Sequence, residues 1–352
     1  MSQRNLKANN TLMLIAFVLI TFTISVSIVS AAGGTHTITD MTGNTVTVPD
    51  DINKVVTFNA IPVLNSYIIA LGKGDTIMNS LSSMANTPYT KYQTILAPQI
   101  ESGVDLGKAA PNAEQVMAMN PDVVITSEKS TVDALNKTTI PVVFVPSTMG
   151  DNAQNEKVMT VLGKVFNQES KADEYNTFSD EVAANLKSKL GTISDDQKPK
   201  VLNMWAPTLA VFNSSGWVVP AGGKDAFDSS SIKGGYGGVT VRYQGNVEEV
   251  QKWNPDVIVV RDPTDIPYLK GNSQFSNINA VKNDKIYVCP AGLMTWVGGA
   301  EVPLMAEWIA TKLHPDKVSE SDLVKDTKEL YKKFFAYDLT DAQAKNIING
   351  TP

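Results

Sequence analysis

Beyond residue 32 the chain carries only two arginines, Arg242 and Arg261, against 26 lysines. Each follows an apolar, β-branched run that reads as a strand, which puts both at or near strand ends. In open α/β sheets, ligands bind in the crevice outside the carboxyl ends of the strands. A guanidinium in such a crevice presents a planar fork of donors matched to carboxylates. The local alternative for Arg261 is an ion pair with Asp262 or Asp265. All five tryptophans lie after residue 200. Trp253 and Trp308 sit on amphipathic helical patterns and read as core. Trp205 ends a strand, Trp217 lies in a polar-to-apolar loop, and Trp296 closes the stretch 290–296 that follows another strand. Aromatic faces at such places suit macrocycles and bulky chelates. In the first half, loops after strands offer Met84, Tyr89, Ser127 and Thr148, for which plain surface-loop roles are the alternative.

Enzyme chemistry finds little support. The two histidines, His36 and His314, fall in no HExxH or similar ligand spacing, which speaks against a histidine-bound metal. Gly222-Gly223-Lys224 lacks the glycine that a phosphate-binding loop needs four residues earlier, where Val218 stands. The run Gly234-Gly235-Tyr236-Gly237-Gly238 opens no helix after a first strand, so it is not a dinucleotide fingerprint and reads as a mobile loop near a cleft. No G-x-S-x-G elbow occurs. The single cysteine, Cys289, excludes an internal disulfide and reads as a small buried hydrophobe at a strand end.

The elements that must position these residues are announced by a phrase used twice. Residues 111–126, PNAEQVMAMNPDVVIT, and 245–260, GNVEEVQKWNPDVIVV, share seven of sixteen positions at an offset of 134. In both, an Asn opens a short amphipathic helix, Asn-Pro breaks it, and an Asp leads into a buried β-branched run. Proline cannot continue a helix and drives its predecessor out of the α region. A helix followed by such a run is half of a parallel α/β unit. Finding it twice implies two similar lobes with a cleft between them. Strands are expected at 55–58, 77–81, 123–126 and 142–145 in the first lobe, and at 201–205, 239–243, 257–260 and 286–289 in the second. A helix at 62–71 ends at Gly72, and another spans 152–166. A third, 168–190, places Ala172, Tyr175, Phe178, Val182, Leu186 and Leu190 on one stripe and stops at Gly191. About 22 residues at 1.5 Å rise give about 33 Å, enough to cross from one lobe to the other. Helices at 302–313, 321–336 and 341–349 close the chain. The expected organisation is 1–32 targeting segment, 33–150 first lobe, 151–191 helical segment and 192–352 second lobe. One helical connection implies limited hinge motion.

Composition bounds the partners. The 352 residues are 43% apolar with net charge −6, and after residue 32 there are 28 basic against 36 acidic side chains. An acidic body without a basic stripe argues against nucleic acid and anionic membrane surfaces. Arg4 and Lys7 precede the uncharged stretch 11–32, which directs the body across the cytoplasmic membrane. Small residues at 29–32 fit a cleavage site, yet 22 uncharged residues would also span a bilayer. Cleavage and retention as an anchor both remain open.

Taken in order, Ile38-Thr39-Asp40-Met41-Thr42-Gly43 with Val46-Thr47-Val48-Pro49, Ala70-Leu71-Gly72 with Asp75-Thr76-Ile77, Pro111-Asn112-Ala113-Glu114, both Asn-Pro-Asp-Val phrases and the long connecting helix resemble one family. They are similar to the substrate-binding proteins of ABC importers for iron–siderophore, haem and cobalamin, over about residues 36–349. The resemblance implies two Rossmann-like α/β lobes with parallel-rich sheets joined by one long α-helix, no catalysis and no cofactor of the protein's own. It implies a monomer that delivers a small-molecule chelate to an ABC permease dimer driven by a cytoplasmic ATPase. It implies permease docking through Glu114 and Glu248, the matched glutamates of the two phrases, whose local alternative is favourable charge in a first helical turn. Glu249 is the weaker substitute, because the first phrase has Gln115 there. The stretch 290–296 resembles a loop that faces the cleft. The ligand-binding set is therefore Tyr89, Ser127, Trp205, Arg242, Arg261 and Trp296. Ferric siderophore or ferric citrate is the first expectation for the solute, with cobalamin, haem and a nickel chelate open, and a ligand sensor or metal-cofactor protein on the same fold as the other class. The lipoprotein cysteine common in single-membrane relatives is missing, a role the apolar segment could fill.

Overall fold

The repeated phrase folds the same way twice. Asn112 caps the helix Ala113–Met119 by accepting from the N–H groups of Glu114 and Gln115, and Asn246 caps Val247–Trp253 by accepting from Glu249. Both helices end on an asparagine in the left-handed region, Asn120 at φ 48° and Asn254 at φ 42°, a conformation asparagine tolerates better than most residues. The aspartate after each proline then sets the strand register. Asp122 donates its N–H to the Lys54 carbonyl and takes the N–H groups of Asn53 and Lys54 on its carboxylate. Asp256 does the same at Lys200, donating to its carbonyl and accepting its N–H at 2.9 Å. Each Asp thus ties the start of its own strand to the start of the parallel neighbour.

In this computed structural model, residues 33–81, 88–107, 111–146, 150–227 and 242–352 are described. The expected targeting segment 1–32, Met84, Thr148, the glycine run 234–238 and residues 239–241 of the expected strand 239–243 lie outside them. Strands β1 (Thr35–Thr39) and β2 (Thr45–Pro49) form an antiparallel hairpin. Strands β3 (Val55–Phe58), β4 (Val123–Thr126) and β5 (Val142–Phe144) form a parallel sheet in that order. The second large sheet uses β6 (Lys200–Trp205), β7 (Ala210–Phe212), β8 (Lys224–Asp225), β9 (Arg242–Gln244), β10 (Val257–Val260) and β11 (Ile286–Val288). Its order is β11-β10-β6-β7-β9, with β8 also paired to β6. The β6–β10–β11 part is parallel, while β7 pairs antiparallel with both neighbours. The fold is α/β with parallel-rich sheets in two halves.

The 22-residue helix Glu169–Leu190 joins the halves, with the expected stripe from Ala172 to Leu190 buried and Gly191 (φ 61°) ending it. The helix Ile61–Ala70 is different in kind. All ten of its residues are buried, as expected of a helix apolar on every side and wedged between other elements. Its polar groups close a ring. Tyr67 donates to Asn155 Oδ1 (2.6 Å), Asn155 Nδ2 donates to the Tyr175 hydroxyl (2.8 Å), and Tyr175 donates to the Ala300 carbonyl (2.7 Å). The Ala300 N–H returns to Ser66 Oγ (3.0 Å), one residue from where the ring began. Four segments distant in sequence are thereby fixed at one buried point.

Two expectations change. The segment 77–81 is not a strand: it makes single bridges, Ile77 to Val55 and Asn79 to Val104. The pattern 302–313 is broken by Pro303 into a 3-10 turn, Val302–Leu304, and a helix, Met305–Leu313. Cys289 is buried, and burial pushes its thiol up to about 12. No helix among the described residues is long and apolar enough to cross a membrane.

Candidate functional site

Strand alternation brings the two arginines together. Asn203 and Trp205 share one face of β6, because side chains two apart point the same way. Register places Phe212 opposite Asn203 and Arg242 opposite Phe212, so Asn203, Phe212 and Arg242 form one row. Val259 pairs with Asn203 on the other side, and Arg261, two residues on, joins the row of Trp205 past the end of β10. The Arg261 guanidinium carbon lies 5.0 Å from the Trp205 ring centre and 4.8 Å from that of Phe212, and Arg242 lies 5.1 Å from Trp205. Trp205 and Phe212 meet edge to face at 5.1 Å.

No carboxylate among the described residues pairs with either arginine, so the local ion pair considered for Arg261 does not form. Asp262 is occupied by the Thr264 N–H and hydroxyl and by Tyr89, and Asp265 lies at 3.5 Å from the Ala206 N–H. Arg261 Nε has no partner. Burial, reinforced by the Arg242 charge, holds the Arg261 guanidinium down to about 10, still protonated at neutral pH. A partly desolvated cation without a counter-ion is costly, and an arriving anion offsets that cost. Two cations thus share one aromatic ring, Arg261 just past the carboxyl end of β10 and Arg242 at the first residue of β9, an arrangement suited to an anion.

From the other half, Tyr89 reaches this edge. Its hydroxyl donates to Asp262 Oδ2 at 2.8 Å, and burial followed by that bond raises its pKa well above the ordinary phenol range. Nearby, Gln93 Nε2 donates at 2.6 Å to both Pro62 O and Leu293 O, and the Tyr92 N–H reaches Gly292 O at 3.3 Å. Tyr89 thus stands at the site but spends its hydroxyl on a bond between the halves. Ser127 is used locally: its Oγ accepts the Ala60 N–H at 3.1 Å, holding the loop that leads into Ile61–Ala70.

Trp296 is corrected from cleft wall to core, being fully buried. The reason is Glu301, also fully buried, whose carboxylate accepts from the N–H groups of Leu293 (2.9 Å) and Met294 (3.2 Å) and from the Tyr331 hydroxyl (2.6 Å). It draws the 290–296 loop inward. A side chain at Gly292 would lie 1.9 Å from the Tyr331 oxygen, so glycine is required there. Burial raises Glu301 to about 7. Trp217 is likewise buried, as is Trp308, whereas Trp253 packs half-buried against Phe227 and Tyr243. The histidines are engaged locally, His36 between Asp50 and the Lys164 carbonyl and His314 beside the Gly222 carbonyl. Among the described residues no group of three or more His, Cys, Asp or Glu could hold a metal ion.

Glu114 and Glu248 are both exposed in the first turns of their helices. Glu249 is committed elsewhere, closing the capping box with Asn246 and accepting from the Tyr243 hydroxyl at 2.6 Å. Residues absent from the sequence reading include Phe212, Glu301 and Asn203, and Asp262 entered it only as a possible partner of Arg261. Asn203 had a signal: it is the one polar residue inside the run Val201-Leu202-Asn203-Met204-Trp205, and it is 1% exposed.

Comparison with known proteins shows the family and the fold. The periplasmic binding protein family matches residues 97–293. The molybdate-binding protein MolA of Haemophilus influenzae is 26% identical over 329 residues, covering 85% of this chain and 90% of that protein. Its molybdate-bound structure superposes with TM-score 0.73 over 87% of this chain and 99% of its own. A periplasmic solute-binding protein of Veillonella parvula, 26% identical, gives TM-score 0.72 over 90% and 97%. The uncharacterized ABC transporter substrate-binding lipoprotein YvrC of Bacillus subtilis is 24% identical over 294 residues, covering 81% and 87%.

Proposed function

The chain belongs to the periplasmic binding protein family, and we propose that it captures a compact anion over Trp205, between Arg242 and Arg261. As a substrate-binding protein of an ABC transporter it works outside the cytoplasm and catalyses no reaction. The observation that carries the proposal is the pair of arginines on one ring, with no carboxylate among the described residues paired to either. Charge-assisted bonds to such an anion are the strong ones. Molybdate is the first anion to try, since the relative from H. influenzae binds it. Ferric citrate and carboxylate siderophores, the expectation from sequence, satisfy the same chemistry.

In this reading, residues 33–150 and 192–352 are the two lobes, 151–191 connects them, and the segment 1–32 directs export. Capture is followed by modest closure, with the Tyr89–Asp262 bond between the halves. Glu114 and Glu248, exposed and without a partner among the described residues, then seat the loaded protein on a permease dimer, one lobe to each subunit. A cytoplasmic ATPase powers release.

The test is a titration of the purified chain with molybdate, tungstate, sulfate, ferric citrate and a carboxylate siderophore, with cobalamin as comparator. Saturable binding of one or more of the anions is expected. Saturation by cobalamin with silence from every anion would refute the reading.

A further inference from the structure

Beneath the arginine pair lies a polar side chain that no pairing explains. Asn203 is 1% exposed, and neither its Oδ1 nor its Nδ2 has a hydrogen-bond partner. A buried amide left unpaired at both ends is rare and calls for a reason. Its neighbours supply one. Asn203 pairs in register with Phe212 on β7 and with Val259 on β10. The Arg261 guanidinium reaches back from beyond Val260 to lie 4.8 Å over the Phe212 ring, which places the charged head over the row that contains Asn203. Its Nε–H is also unpartnered. An unpaired donor and an unpaired acceptor thus stand one row apart on one sheet face, about 5–8 Å between backbones at ordinary strand spacing.

We propose that Asn203 is the inner specificity residue of the anion site, taking the Arg261 Nε–H on its Oδ1 once the anion is bound and presenting its Nδ2 hydrogens to that anion. This rests on the anion-binding reading and narrows it. With Oδ1 taken by Arg261, the wall made by Arg242, Arg261 and Asn203 offers donors only. Such a wall selects anions that carry no proton of their own, a fully deprotonated oxyanion or carboxylate. A hydroxyl-bearing anion such as hydrogen phosphate would bury an O–H with no acceptor, which is strongly disfavoured.

The experiment uses calorimetric titration and thermal melting of the whole chain, with molybdate, ferric citrate and phosphate as probes. In the wild type, phosphate binds at least a hundredfold more weakly than the better of the other two. Asn203→Leu weakens that better probe at least tenfold while its melting temperature, without ligand, holds or rises, because an unpaired buried amide has been removed. A purely structural asparagine would show the opposite, a lower melting temperature with unchanged affinity. Asn203→Asp, nearly isosteric, can still accept the Arg261 Nε–H but turns a carboxylate toward the anion, and loses binding more than a hundredfold. The proposal is overturned if either variant binds within twofold of wild type, or if phosphate binds as well as the others. Loss of binding in Arg261→Ala with retention in Asn203→Leu would overturn this inference alone. No binding of molybdate or ferric citrate by the wild type would overturn the anion reading and this inference together.

Discussion

Removing one hydroxyl from the buried ring at Ala300 gives a sharp test of how the two halves are held. Tyr175 accepts from Asn155 Nδ2 at 2.8 Å and donates to the Ala300 carbonyl at 2.7 Å, with no exposure to water. Tyr175→Phe keeps the ring's apolar packing, including its edge contact with Phe334 at 5.2 Å. It strands a buried N–H donor and a buried carbonyl. Each stranded group costs about 1–3 kcal/mol, and partial relaxation of Asn155 toward Tyr67 lowers the total, so about 2–4 kcal/mol is expected. For a body of this size, at about 2 cal/mol/K per residue of unfolding entropy, the melting temperature falls by about 3–6 °C. Urea denaturation and calorimetry measure this directly, and Tyr67→Phe completes a double-mutant cycle. Because both tyrosines use Asn155, the two losses should not add. A loss below about 0.5 kcal/mol in Tyr175→Phe, or strict additivity with Tyr67→Phe, would refute the ring as a structural joint.

Other predictions concern pH, release and delivery. Glu301 is raised from the ordinary 4.5 to about 7, so the folded state holds a proton that the unfolded state gives up between those values. Its contribution to stability is therefore full below about pH 4.5 and is lost as pH rises toward about 7, by about 3 kcal/mol, a slope that Glu301→Gln should abolish in denaturation profiles. Tyr89→Phe breaks the hydroxyl bond to Asp262 between the halves and should speed solute release by about 2–10-fold in stopped-flow measurements. Glu114→Lys with Glu248→Lys should abolish uptake while solute affinity stays unchanged; surviving uptake would remove both from the docking surface.

Much of the architecture is legible because local chemistry enforces it. The phrase with Asn caps, Asn-Pro breaks and register-setting Asp yields helices and strands offset by 134 residues in both halves, and β4 and β10 fall where the β-branched runs predict. The connecting helix is readable from its stripe and from Gly191. Strand β7 is not, because three residues carry no periodicity and its turn from β6, 206–209, puts Leu209 rather than glycine at positive φ (55°). The segment 77–81 has strand-like residues, but Gly103 packs against its backbone and Val104 pairs with it at one point only, so no ladder extends. For the site, Arg242, Arg261 and Trp205 are readable as strand-end residues, while their convergence depends on register across four strands, β10, β6, β7 and β9. Trp296 misleads because the glycines around it look like a surface loop. Glu301, five residues on, and the distant Tyr331 bury that loop, and no periodic pattern reveals them.

The central claim, an anion held by the two arginines that meet over Trp205, is tested most directly by calorimetric titration of wild type and the Arg242→Gln/Arg261→Gln double variant with molybdate and ferric citrate. Two lost charge-assisted contacts at about 1.5–3 kcal/mol each predict a loss of roughly 10²–10⁴-fold in the affinity of whichever anion the wild type binds, with the melting temperature of the unliganded protein unchanged or higher. Equal affinity in wild type and double variant would contradict the account and move the solute away from Trp205.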